Sequence, residues 1–138
     1  MRLDYRLLAA AIVPLLVVWW VPPWADVVLG EGLAAAAIFV SSVAILEEVI
    51  FRGAIQSWLL ARPKFQIKLS GLSRANWLTS TLFVVAHLWQ HPVQLAPGYL
   101  AVSLLFGYFR ERYRGITVPL ILHVHYNLML LLLPALSH

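Results

Sequence analysis

Glu47, Glu48 and Arg52 fall within six residues of one another in a run that otherwise has no charge. No Asp, Glu, Lys or Arg occurs from Leu33 to Leu46 or from Gly53 to Ala61. A helix centred in a bilayer pays about 2.5–3.5 kcal/mol per charge on insertion scales, and more by other estimates. Something must offset that cost, and an ionisable cluster at membrane depth reads first as a functional site. The rest of the chain is read by asking which residues can meet these three.

Composition puts the chain in a membrane. It is 62% hydrophobic and 12% charged over 138 residues, with a mean hydropathy of +0.82. A soluble domain carries about 25% charged residues. The expectation is a single transmembrane domain over residues 1–138, all-α, a polytopic helical membrane protein with about five transmembrane helices. There are no cysteines, which excludes disulfides and thiolate metal sites. The net charge of +4 does not point to nucleic acid, because the basic residues lie in short juxtamembrane segments where topology and anionic lipid explain them.

The first apolar stretch, Leu7 to Val21, contains Pro14 and ends at Pro22-Pro23. It is expected to be a retained span rather than a cleaved signal peptide, since Trp24-Ala25-Asp26 is a poor cleavage site. Trp19, Trp20 and Trp24 would form an aromatic belt at its outer end. A second helix is expected from Leu33 to Ala61, stopped by Pro63 and longer than a span needs. In the segment Arg62–Arg74, Phe65, Ile67 and Leu69 alternate with polar residues, which suits an interfacial strand-like or helical segment. A solvated basic loop lying along lipid headgroups is preferred, broken at Ser70-Gly71, with Ser73 as N-cap of the next helix. Further spans are expected at about Ala75–Gln90, Pro97–Phe109 and Ile116–Leu133, the last with Pro119 in its first turn.

This arrangement gives a one-sided charge pattern. Nine of the ten Lys and Arg lie at Arg2 and Arg6, at Arg62, Lys64, Lys68 and Arg74, and at Arg110, Arg112 and Arg114. Five spans place all of these on one side, and the opposite connections, 22–31 and 91–96, have none. The positive-inside rule then puts the N-terminus in the cytoplasm.

Glu48 and Arg52 are i and i+4, so they share a helical face and can pair. Glu47 lies about 100° around the helix and is left for another task. A spare carboxylate in a low-dielectric setting suits general acid or base work. The plainer alternative is a buried ion network that only holds helices together, although one Arg cannot neutralise two carboxylates. Of the five histidines, His91 and His138 lie at the edges and are expected to be bystanders. His87 lies in the third span. His123 and Asn127 are i and i+4 on the fifth, and His125 points to a different face. At 1.5 Å per residue, Glu47, His123 and Asn127 lie near the midplane, and His87 lies roughly 6 Å outward of it. These residues can converge.

The pattern Glu-Glu-x-x-x-Arg, then Phe-x-x-x-His, then His-x-x-x-Asn on successive membrane helices resembles the CPBP (Abi) family of intramembrane glutamic endopeptidases. These are the CAAX prenyl proteases of type II and their bacterial relatives. The matching residues are Glu47, Glu48 and Arg52, Phe83 and His87, and His123 and Asn127, within a core of about residues 35–134. The Gly71-Leu72-Ser73-Arg74-Ala75-Asn76 stretch and the short chain are also similar to the small branch associated with JDVT-CTERM sorting tails. The resemblance implies a catalytic set of Glu47, Glu48, His87, His123 and Asn127, with Arg52 and Phe83 in structural and tuning roles. Glu47 and His87 would activate a water, His123 and Asn127 would stabilise the oxyanion, and Glu48 with Arg52 would brace the helix. It implies no cofactor and no metal. The partners would be a membrane-anchored protein substrate and the lipid bilayer, with no nucleic acid, in a bacterial inner membrane.

Two rival readings use the same residues. Glu47, His87 and His123 would make an acceptable zinc set, though the chain lacks His-Glu-x-x-His. A membrane immunity protein, scaffold or proton relay would also use a polar core at the midplane.

Overall fold

The computed structural model describes residues 4–17 and 32–135, with side chains from 13 to 17 and from 133 to 135 left aside. The described elements are α1 (Tyr5–Val17), α2 (Leu33–Leu60), α3 (Pro63–Gln66), β1 (Lys68–Leu69), β2 (Leu72–Ser73), α4 (Arg74–Leu88), a 3-10 turn (Val93–Leu95), α5 (Ala96–Arg112) and α6 (Thr117–Ala135). The expected tryptophan belt, the 22–31 connection and His138 lie outside the described residues. The chain packs as two compact units, residues 1–46 with 121–138 and residues 47–120, whose boundaries fall within α2 and α6.

Among the described residues, α2 is the one helix long and apolar enough to cross a membrane, with Thr117–Leu132 a shorter apolar helix. Its 28 residues span about 42 Å at 1.5 Å each, against a hydrocarbon core of about 30 Å. Ile38, Phe39, Ile45, Leu46 and Trp58 are exposed along it, an arrangement that suits lipid and would be costly in water. The helix ends as the sequence predicts. Arg62, preceding Pro63, is extended at φ −112° and ψ 122°, since proline disfavours the helical conformation one residue earlier.

α2 is not wound uniformly. Val49–Gln56 is π-helical, beginning directly after the two carboxylates. Such wide turns are rare and recur at functional sites. The Arg52 carbonyl accepts hydrogen bonds from Ser57 Oγ at 2.8 Å and from Arg110 Nε at 3.4 Å, so backbone loosened by the wide turn is satisfied by side chains.

The segment after α2 differs from the expected solvated loop. It forms the single turn α3 and then a small antiparallel hairpin that pairs Lys68 with Ser73 and Leu69 with Leu72. Ser70 and Gly71 both have positive φ, 52° and 84°, which is what a two-residue hairpin turn demands. Strands of two residues carry too little alternation to be read in advance. Ser73 then caps α4 as expected, accepting from the Asn76 N–H at 2.9 Å.

In the second unit α4 packs closely on α5. Asn76 is fully buried, donates from Nδ2 to the Leu104 carbonyl at 3.0 Å, and accepts from Ser80 Oγ. A Cβ at Gly107 would lie 2.0 Å from Asn76 Oδ1, so glycine leaves the space that the Asn76 amide fills. The two basic connections meet at one end of this unit, because Glu111 accepts from Gln56 Nε2 and from Ser73 Oγ.

In the first unit Ala36 and Val40 of α2 pack on Leu131 of α6. Tyr126 donates to the Ala10 carbonyl at 2.6 Å, and His125 Nε2 lies 3.0 Å from the Ala11 carbonyl. These two bonds tie α1 to α6.

Candidate active site

The two neighbouring carboxylates occupy different environments. Glu48 is fully buried and pairs with Arg52, with Oε1 3.2 Å from Nη1 and both side chains at 0% exposure. Arg52 is further held by Ser103, donating from Nη2 to its carbonyl at 3.0 Å and to its hydroxyl at 2.8 Å. Its guanidinium lies 5.0 Å from the Phe83 ring centre and 5.6 Å from that of Phe106. Bonds to charged groups contribute roughly 1.5–3 kcal/mol each, and a desolvated cation–π contact about 2 kcal/mol. Together these offset the burial of the ion pair.

One turn further along α2, Gln56 continues the ladder. It is fully buried and donates to the Gly107 carbonyl at 3.1 Å. Arg52 and Gln56 thus meet Ser103 and Gly107, two small residues four apart on α5. Small residues at this spacing let membrane helices approach closely. Gln56, Ser103 and Gly107 were not singled out from the sequence, although Gln56 continues the i, i+4 spacing of Glu48 and Arg52.

Glu47 is turned away from that ladder, as expected, and keeps 21% exposure. Its Oε1 lies 3.5 Å from Nε2 of His87, which is 16% exposed. His87 is the fourteenth residue of α4 and projects from its last turn. Its Nδ1 lies 2.9 Å from the Phe83 carbonyl. A carbonyl can only accept, so Nδ1 carries the proton and Nε2 is the nitrogen that faces Glu47.

Phe83 joins the two pairs. Its ring stacks on His87 at 4.1 Å between centroids, meets Phe51 edge-on at 5.0 Å, and lies under the Arg52 guanidinium. It is buried to 2%. Phe83, expected in a structural and tuning role with Arg52, is in contact with both Arg52 and His87.

Two ring neighbours of His87 were not singled out from the sequence. Tyr99 of α5 lies 4.7 Å from it, and His91 lies 6.0 Å from it and 5.5 Å from Tyr99. His91, expected to be a bystander, therefore belongs to the same aromatic cluster. Its position four residues beyond His87 was the available signal.

His123 and Asn127 lie in the first unit. His123 is buried to 6%, and Asn127 donates from Nδ2 to the Val40 carbonyl at 3.2 Å. His125 faces α1, as its different helical face requires. Among the described residues no three His, Asp or Glu side chains are grouped as metal ligands.

No curated protein and no solved structure matches the chain. Residues 29–129 match a family model described as type II CAAX prenyl endopeptidase Rce1-like, which spans both carboxylates, the Phe83–His87 turn and the His123–Asn127 face. The chain belongs to this family of membrane peptidases.

Proposed function

We propose that this protein is a glutamic intramembrane endopeptidase that hydrolyses a peptide bond in a membrane-anchored protein or hydrophobic tail. The observation that carries the reading is the Glu47–His87 pair, with Oε1 and Nε2 3.5 Å apart and the tautomer fixed by the Phe83 carbonyl. A water hydrogen-bonded to both atoms completes a triangle whose other two sides are about 2.8 Å, within normal hydrogen-bond lengths. The pair takes a proton from this water as its oxygen bonds to the scissile carbonyl carbon. The C–N bond of the tetrahedral species then breaks, and the proton passes to the departing amine. No covalent acyl-enzyme forms.

His123 and Asn127 are assigned to the developing oxyanion on the resemblance of their spacing and their shared face on α6. An amide Nδ2 carries two hydrogens, so the bond to Val40 occupies one and the other is chemically suited to an oxyanion. Such a donor contributes about 3–4 kcal/mol to transition-state stabilisation in another protease. Glu48 and Arg52 keep Glu47 in register and tune it.

The five-span arrangement with a cytoplasmic N-terminus is part of this proposal. It is supported by the meeting of the two basic connections at one end of the second unit. The substrate class follows the family: a prenylated or otherwise hydrophobic tail, or a C-terminal sorting tail, in a bacterial inner membrane.

The test is Glu47→Gln. Gln keeps the shape of the side chain but takes no proton. The full chain, reconstituted with tail-anchored reporter proteins, should cleave one of them, and Glu47→Gln should lose about 10²–10⁴-fold in rate at unchanged abundance and melting temperature. Cleavage that survives in Glu47→Gln would sink the mechanism.

A further inference from the structure

The mechanism requires the His87 imidazole to hold one orientation, and two of its constraints lie in the ring plane: Nδ1 on the Phe83 carbonyl and Nε2 toward Glu47. Neither prevents the ring from tipping about the line that joins them. What does so must press on its faces. Phe83 stacks at 4.1 Å with 29° between the planes, but it comes from the same helix, one turn back, and moves with His87. The ring that comes from another helix is Tyr99, at 4.7 Å and 41°.

From these contacts we infer that Tyr99 is a positioning residue, holding the His87 ring so that Nε2 stays on Glu47. The inference rests on the reading of Glu47 and His87 as the water-activating pair. Tyr99 sits in the first turn of α5, where Pro97 lies at the helix start and fixes its backbone entry. Its ring is also backed by His91 at 5.5 Å. An aromatic pair in such a tilted contact contributes about 0.5–1.5 kcal/mol beyond area burial, enough to bias a rotamer without adding a reacting group. The aromatic ring is therefore the part that matters, and the hydroxyl is secondary.

The experiment uses the full chain in lipid nanodiscs with ¹⁵N-labelled histidine. The imidazole nitrogens of wild type, Tyr99→Phe, Tyr99→Leu and Tyr99→Met are compared, together with turnover on the reporter found above. Wild type and Tyr99→Phe should give one His87 signal set with Nδ1 protonated. Tyr99→Leu should give mixed tautomers and lose on the order of 10–100-fold in kcat with KM unchanged, the cost of misplacing a catalytic group. Tyr99→Met fills the space without a ring and decides the question if the Leu variant does not fold. A single Nδ1–H tautomer and full turnover in both aliphatic variants would overturn the inference. The nitrogen spectra need no substrate, so they decide the role of Tyr99 even if wild type cleaves nothing, an outcome that would instead defeat the proposed function.

Discussion

His87 donates from Nδ1 to the carbonyl of Phe83, one helical turn back and 2.9 Å away. The bond is made inside α4 itself, so the base is aimed by its own helix before any other element packs against it. The Phe-x-x-x-His spacing encodes more than a ring on a ring. It supplies a backbone acceptor at i−4 and a stacking face from the same residue.

Arg52→Ala is expected to destabilise the protein by about 3–5 kcal/mol, because it leaves the buried Glu48 carboxylate without its partner. Glu47→Gln, at a partly exposed position outside that pair, should cost far less. Thermal unfolding in detergent, read on both variants side by side, checks the ordering. Equal melting temperatures would show that Arg52 does not brace the site.

Gly107→Ala should destabilise the second unit by about 1–3 kcal/mol, the usual cost of overpacking. The added methyl would press on Asn76 Oδ1, and Asn76 is itself held by Leu104 and Ser80. Asn76→Ala in the same background should recover part of the loss, since it removes the atom in the way. A double-mutant cycle measures this coupling.

His125→Ala is expected to keep full turnover and to loosen α1. The ring bonds the Ala11 carbonyl and lies on a different face of α6 from His123 and Asn127. Limited proteolysis or hydrogen exchange over residues 5–17 should rise while peptide cleavage is unchanged. A loss of turnover at intact α1 protection would place the working face of α6 on the wrong side.

Cleavage should persist after exhaustive treatment with chelators. The proposed mechanism takes as nucleophile a water activated by Glu47 and His87 and routes no step through a metal. Inactivation by chelator, reversed by added zinc, would replace the glutamic reading with a metalloprotease.

Much of this arrangement was legible before any coordinates. Glu48–Arg52 pairing, the turning away of Glu47 and the Ser73 cap follow from helical spacing and residue chemistry alone. Family membership was legible from three short patterns in order, and residues 29–129 match the family's model. What escaped prediction depends on partners far apart in sequence or on conformations too short to leave a period. Tyr99 is twelve residues from His87 across a loop, and nothing in the chain marks it out from other interfacial tyrosines. The hairpin at Lys68–Ser73 was missed because its strands are two residues long. The π-helical stretch was missed because apolar patterning at 3.6 residues per turn and at the wider spacing look alike over eight residues.

That change of winding fixes the rotational phase of α2. Each residue taken up by the wide turn advances the helix by less than an α-helical step, so the stretch Val49–Gln56 sets the angle between the carboxylates before it and Ser57 after it. Removing a single residue between Arg52 and Gln56 would leave every side chain of the two pairs chemically intact. It would nevertheless swing Glu47 and Glu48 around the axis relative to Gln56 and Ser57. Deletions here should therefore be far more damaging than most substitutions, because the information they erase is angular rather than chemical.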